Sequence, residues 1–147
     1  MDNKTIKTLL DEFIEKCRHA GLSVTPQRLA IYKALLKDSS HPSPEKIYKR
    51  IKSDFPTISF ATVYKTLETF EKNNIIARVT TLHNTVRYDP FMERHHHVIC
   101  VKCKKVFDVQ DARLDSLPIP TEISKENTLL DFSVHFNVIC AECRGKE

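Results

Sequence analysis

Two Cys-x-x-Cys pairs constrain this chain more than any other feature of its sequence. Cys100 and Cys103 form the first pair, Cys140 and Cys143 form the second, and 36 residues lie between them. Each pair can chelate one ion from a tight turn, and four thiolates complete the tetrahedral shell of structural Zn²⁺. The spacing exceeds the roughly 15–20 residues of a zinc ribbon. We therefore expect a small strand–helix–strand unit between the pairs, with one zinc ion joining two distant strands.

The same cysteines are compatible with other arrangements. An iron–sulfur cluster also uses four thiolates, C-x-x-C pairs occur as redox dithiols, and the cysteines could be unrelated. The chain begins without an apolar signal segment and has no run of about 18 apolar residues, so we expect a cytoplasmic protein without membrane contact. Reduced thiols in that compartment favour metal binding over disulfides. The fifth cysteine, Cys17, is expected to be a packing residue of the first helix.

Residues 1–89 are predicted to form a winged helix-turn-helix domain. Thr25–Pro26 and Ser43–Pro44 each place a hydroxyl before a proline, and Ser59 precedes another apolar run, as at helix N-termini. One amphipathic helix precedes these starts. The β-branched residues of segment 75–89 then predict a two-stranded hairpin with its turn at His83–Asn84. Helices followed by a hairpin are the order of a winged helix.

Residues 90–147 are predicted to form a second, smaller domain after a hinge at Pro90. Segments 95–103, 104–110 and 130–143 have the pattern of strands, so the whole chain is assigned to the α+β class. Fewer than about 60 residues build only a weak core. We therefore expect metal binding and dimerisation to stabilise this domain.

The charge is unevenly distributed and favours a nucleic-acid partner for the first domain. Residues 1–89 carry 15 basic and 10 acidic side chains, whereas residues 90–147 carry 8 and 9. The helix after Ser59 is predicted to present hydroxyls and a cation opposite its apolar face, chemistry that suits phosphates and base edges. A merely solvated face is the alternative. The candidate DNA contacts are Arg28, Ser59, Thr62, Tyr64, Lys65 and Thr66.

A second metal site is predicted around the histidine run 95–97. On a strand, His95 and His97 point to one face and His96 to the other, where we expect it to face solvent. Imidazole and carboxylate ligands suit Fe²⁺, Mn²⁺ or Zn²⁺. A surface-exposed histidine cluster is the alternative. The complete candidate set is His41, Asp89, His95, His97 and Asp108.

These motifs together resemble the ferric uptake regulator (Fur) family. The resemblance is carried by His95-x-His97-x-x-Cys100-x-x-Cys103, by Cys140-x-x-Cys143 and by Ser-Phe-Ala-Thr-Val-Tyr at 59–64, and it extends from Thr25 to Cys143. It implies a homodimeric, metal-dependent repressor with a C-terminal α/β dimerisation domain. It also implies structural Zn(II) on the four cysteines and Fe(II) or Mn(II) at the regulatory site.

Asp108 stands where iron sensors of the family usually have glutamate, and in this the chain resembles the peroxide-responsive PerR branch. That resemblance implies that Fe(II) and hydrogen peroxide oxidise His41 and His95 and release operator DNA. A Fur-type sensor of iron availability is the alternative, because aspartate is only one methylene shorter than glutamate.

An enzyme is not expected. The chain has only two glycines, Gly21 and Gly145, which excludes the Walker loop and the G-x-G-x-x-G turn. A zinc deaminase needs His-x-Glu, whereas valine and isoleucine follow His97. We therefore expect a DNA-binding regulator whose partners are double-stranded operator DNA and a second copy, with hydrogen peroxide as its only small molecule.

Overall fold

The computed structural model describes residues 1–80, 86–91 and 96–146. The chain divides into two compact units, Met1–Met92 and Glu93–Glu147. Both contain helices and strands, which confirms the α+β class. The predicted turn at His83–Asn84 and the candidate ligand His95 lie outside the described residues. Within the described ranges, no helix is both long enough and apolar enough to cross a membrane.

Four helices form most of the first unit. They are α1 (Asn3–His19), α2 (Pro26–Leu36), α3 (Pro44–Ile51) and α4 (Phe60–Lys72). The hydroxyls of Thr25, Ser43 and Ser59 cap α2, α3 and α4, each accepting a hydrogen bond from a backbone N–H of the first turn. Such a cap satisfies an N–H that has no acceptor within the helix. The three predicted helix starts are therefore confirmed.

The core of the first unit is built around three aromatic rings. Phe13 of α1 stacks on Tyr32 of α2 with ring centroids 4.1 Å apart, and it meets Phe70 of α4 edge-on at 5.3 Å. Val63 of α4 and Cys17 of α1 are completely buried in the same cluster. Cys17 is thus a packing residue, as predicted.

A β-hairpin follows the helices in the first unit. Strand β1 (Ala77–Thr80) pairs antiparallel with β2 (Val86–Asp89), and Ala77 lies opposite Asp89. Arg78 of β1 donates to the carboxylate of Glu71 on α4, with 3.0 Å between Nη2 and Oε2. This contact links the hairpin to the helix that precedes it.

The second unit is a three-stranded sheet with short helices. Strand β3 (His96–Cys100) lies between β4 (Val106–Val109), which is antiparallel to it, and β5 (His135–Val138), which is parallel. The crossover from β4 to β5 contains α5 (Ala112–Asp115) and α6 (Thr121–Ser124), and α7 (Ala141–Arg144) follows β5. The strand–helix–strand unit predicted between the cysteine pairs is therefore confirmed.

Candidate metal centres and nucleic-acid face

The four cysteines converge in the second unit. Cys100 ends β3, Cys103 lies in the turn after it, and Cys140 and Cys143 lie at the start and within α7. The four sulfur atoms all lie within 4.8 Å of one another. The Sγ atoms of Cys103 and Cys140 are 3.8 Å apart, and sulfurs placed tetrahedrally about 2.3 Å from Zn²⁺ are separated by about 3.8 Å. The cluster therefore fits a tetrahedral zinc ion.

Backbone groups prepare one of these thiols for metal binding. The N–H groups of Cys140 and Cys103 point at Cys100 Sγ from 3.4 and 3.5 Å. These hydrogen bonds lower the pKa of Cys100 to about 6. In contrast, hydrogen bonding to Cys140 and burial raise the pKa of Cys143 to about 12. Because metal-bound thiols are deprotonated, zinc binding here must release protons.

The first unit contains a buried histidine–carboxylate pair. His41, in the loop before α3, and Asp89, at the end of β2, are only 2% and 1% exposed. His41 Nδ1 lies 3.7 Å from Asp89 Oδ2, and Asp89 Oδ1 accepts a hydrogen bond of 2.8 Å from the N–H of Phe91. The carboxylate is thus oriented by the backbone that follows it.

The second unit contains a similar pair. His97 and Asp108 face each other across β3 and β4, with 3.5 Å between His97 Nε2 and Asp108 Oδ1. Both histidine–aspartate separations exceed a good hydrogen bond of about 2.7–3.2 Å. They lie close to the span of about 3.0–3.6 Å between two donor atoms on one ion at metal–ligand distances of about 2.1 Å. Each pair therefore fits one edge of a metal coordination shell.

The expectation that His96 faces solvent is wrong. Strand alternation does turn it away from His97, but α5 and the segment before β5 cover this end of the sheet face, and His96 is fully buried. Its Nδ1 accepts a hydrogen bond of 2.9 Å from the N–H of Val134, so the ring proton lies on Nε2, 2.8 Å from Asp115 Oδ1. Both ring nitrogens are therefore used, and His96 joins β3 to α5 and to the segment before β5.

His135 is a neighbour of the candidate site to which no role was assigned from the sequence. It lies beside His97 in the parallel register of β3 and β5, and the two rings meet edge-on with centroids 5.4 Å apart. Burial, followed by the nearby His97 and His96, lowers the pKa of His135. The register between two parallel strands leaves no local mark in the sequence, so this neighbour could not have been identified beforehand.

Helix α4 presents most, but not all, of the predicted DNA contacts. Thr62 and Lys65 are exposed and Tyr64 is half-buried, while Ser59 Oγ lies 2.9 Å from Thr62 Oγ1. Thr66 is buried, and its hydroxyl donates to the carbonyl oxygen of Thr62 at 2.8 Å. The prediction that Thr66 lies on the exposed face is therefore wrong. The reason is helical geometry, which places this position next to the buried positions three before and four after it.

Arg28 lies apart from α4 in sequence, on the first turn of α2. It is half-buried, and its Nη1 donates to the carbonyl oxygen of Ser23 at 2.8 Å. The remainder of its guanidinium still offers donors to an anionic partner.

Comparison with known proteins agrees with this geometry. The model of the ferric uptake regulator family matches residues 19–135. The chain belongs to the ferric uptake regulator family. The peroxide-responsive repressor PerR of Staphylococcus aureus is 32% identical to it over 143 residues, which are 97% of each chain. The resemblance drawn from the sequence motifs is thereby confirmed.

Solved structures show the same fold over nearly the whole chain. The Helicobacter pylori ferric uptake regulator Fur, a protein with three functional metal binding sites, matches with a TM-score of 0.74 and 26% identity, covering 95% of this chain and 93% of that one. The Campylobacter jejuni peroxide stress regulator matches with a TM-score of 0.68 and 31% identity, covering 97% and 100%. Both comparisons extend across the two units of this Fur-family chain.

The Fur-family chain thus carries two chemical classes of metal-site candidate. The cluster of four soft thiolates suits zinc, whereas the imidazole–carboxylate pairs suit Fe²⁺ or Mn²⁺. These are the two kinds of metal site that the sequence predicts.

Proposed function

We propose that this chain is a cytoplasmic, metal-dependent transcriptional repressor that binds double-stranded operator DNA as a homodimer and responds to hydrogen peroxide. The observation that carries the proposal is the histidine–aspartate pair in each unit, His41 with Asp89 and His97 with Asp108. Aspartate instead of glutamate at position 108 favours peroxide as the signal. So does the similarity to a peroxide-responsive repressor. The first unit is the proposed DNA-binding domain, and the second the proposed dimerisation domain.

The regulatory site is proposed to hold one Fe(II) or Mn(II) ion. His41 and His97 each offer an imidazole nitrogen, Asp89 and Asp108 each offer a carboxylate oxygen, and His95 completes the set. Ligands drawn from both units would restrict the relative motion of the units when they share an ion. A tenfold gain in DNA affinity requires the ion to stabilise the DNA-binding conformation over the others by only about 1.4 kcal/mol.

The proposed peroxide response depends on the chemistry of the ligating histidines. Fe(II) held by these ligands would supply the redox chemistry that activates hydrogen peroxide; overall, one peroxide oxygen would be transferred to a ligating imidazole and the other would leave as water. His41 and His95 are the proposed targets, and conversion of a ring C2–H to a carbonyl adds one oxygen atom to the side chain. An oxidised imidazole binds metal poorly, so the restriction on the two units is lost and the repressor leaves its operator.

The four cysteines are proposed to hold a structural zinc ion that stabilises the second unit. The same unit exposes an apolar row across its sheet, because Val98 lies opposite both Phe107 and Phe136, which are 43% and 41% exposed. Adjacent exposed apolar side chains on one sheet face favour association. We propose that a second copy of the chain covers this row.

DNA binding is proposed to use helix α4 in the major groove. Thr62, Lys65 and the capping Ser59 lie at its exposed N-terminal half, with Tyr64 on the flank and Arg28 on α2. Hydroxyls and cations there suit contacts with phosphates and base edges.

The test is to load the zinc-containing protein with Fe(II), add hydrogen peroxide and analyse its peptides by mass spectrometry. We expect a gain of about 16 Da, one oxygen atom, on peptides that contain His41 or His95, together with release from DNA. Protein loaded with Mn(II) is the control and should remain unmodified and bound. Unmodified Fe(II)-loaded protein that stays on DNA would instead support the Fur-type sensor of iron availability.

A further inference from the structure

The loop between α2 and α3 holds His41 in an uncommon backbone conformation. The φ angle of His41 is 54°, in the left-handed region that residues with a β-carbon seldom adopt. The ring is nevertheless buried, and the loop belongs to no helix or strand. Such a conformation persists only where surrounding contacts impose it.

Arg87 supplies contacts of this kind. Its Nη1 lies 3.1 Å from the carbonyl oxygen of His41 and 3.4 Å from that of Ser40. Arg87 precedes Asp89 by two positions on β2, so the two side chains leave the same face of the strand. One strand therefore provides both the carboxylate beside His41 and the guanidinium that holds the backbone of His41.

Asp38 holds the same loop from its other end. One of its carboxylate oxygens accepts from the N–H of Ser40 at 2.9 Å. The other lies 3.1 Å from Lys46 Nζ and 3.0 Å from Arg50 Nη2, both on α3. Burial of Asp38 opposes ionisation, but these hydrogen bonds and cations outweigh it and lower its pKa to about 2. The loop is thus fixed to α3 on one side and to β2 on the other.

We propose that Arg87 is a positioning residue that holds His41 in the orientation required for metal binding, with Asp38 as the second support. This inference rests on the proposed function, because it assumes that His41 ligates the regulatory ion. Residues that orient a metal ligand from outside the coordination shell typically affect metal affinity by about 10- to 100-fold. Arg87→Met should therefore weaken Mn(II) binding by about that factor. Arg87→Lys should have an intermediate effect, since an ammonium group can still donate to a carbonyl.

The experiment is a titration of full-length, zinc-containing protein with Mn(II), with free Mn(II) measured by electron paramagnetic resonance. The absorption spectrum of the Co(II)-loaded protein provides a second readout, because it reports the ligand geometry directly. Arg78→Met is the matched control. It also removes an arginine from the hairpin, but Arg78 contacts Glu71 instead of the His41 loop. Zinc content and the thermal midpoint of unfolding are recorded for every variant.

We expect Arg87→Met to lose Mn(II) affinity and change the Co(II) spectrum, while Arg78→Met does neither. Wild-type behaviour of Arg87→Met, or equal losses in both variants, would overturn the inference. Should Arg87→Met fail to fold, Arg87→Lys and Asp38→Asn are compared with the control by the same two readouts. His41→Ala separates the two proposals: normal Mn(II) binding by that variant would show that the proposed regulatory site itself is wrong.

Discussion

At the scale of single residues, His96 shows how one buried polar side chain can stabilise the second unit. His96→Leu keeps a similar volume but removes the acceptor for the N–H of Val134 and the donor to Asp115. Leaving such groups without partners costs about 1–3 kcal/mol. We expect the free energy of unfolding, measured by urea titration of zinc-containing protein without Mn(II), to fall by that amount.

The matched control for this prediction is the same substitution at an exposed histidine. His19→Leu, at the end of α1, should change stability by no more than about 0.5 kcal/mol. Equal stability of the two variants would show that the hydrogen bonds of His96 contribute nothing measurable.

Candidate metal ligands were predictable from the sequence because their chemical type and spacing mark them. Burial and contacts that depend on distant parts of the chain were not predictable. Thiolate spacing indicated the cysteine cluster, and the position of Asp108 on the strand after the histidines indicated that its carboxylate could approach the face of His97. The burial of His96 depends on α5 and the segment before β5, distant parts of the chain that cover the His96 end of its sheet face. The position of His135 depends on the register of two strands far apart in sequence. Neither leaves a local pattern.

At the scale of elements, the exposed face of helix α4 allows a test of the proposed DNA binding. Lys65 is exposed in the middle of the helix, beside the proposed contacts Thr62 and Tyr64. Each lysine that neutralises a phosphate releases counterions, so Lys65→Ala should weaken binding to a mixed-sequence duplex and reduce the salt slope by about one. Fluorescence anisotropy at several salt concentrations measures both quantities.

Lys72 of the same helix provides the control. It is also exposed but lies at the C-terminal end of α4, away from the proposed contacts. Lys72→Ala should leave the affinity and its salt slope close to those of the wild type. Indistinguishable effects of the two substitutions would place the DNA on another surface.

Element boundaries were predictable wherever a side chain itself terminates the element. The capping hydroxyls of Thr25, Ser43 and Ser59 mark the starts of three helices in the sequence and in the structure. The four-residue helix α5 is also capped, by the Asp111 carboxylate, whereas the equally short α6 follows Pro120 without a side-chain cap. Pro118 and Pro120 limit their length, because proline lacks the N–H that continues a helix.

At the scale of the whole molecule, the two units differ in how they are stabilised. The first has a continuous apolar core drawn from all four of its helices. In the second unit, every residue of β5 except Val138 is exposed. Its four cysteines form a cluster that fits a zinc ion. A unit with so little buried apolar surface gains stability from metal and from association. Zinc binding and dimerisation are therefore expected to be linked to the folding of the second unit.

The proposed dimer provides the last prediction. Phe136→Lys places a charge at the β5 end of the exposed apolar row that also contains Val98 and Phe107. Aromatic hot-spot residues of an interface typically contribute about 2 kcal/mol or more, so the dimer should weaken by about 30-fold or more if Phe136 is one of them. Sedimentation velocity over a range of protein concentrations measures the change.

Leu130→Lys is the control, because Leu130 is 88% exposed and lies outside the sheet. A Phe136→Lys protein that keeps its zinc and sediments as a wild-type dimer would place the interface elsewhere. Because a dimer reads two DNA half-sites, loss of the dimer should also lower operator affinity without any change in α4.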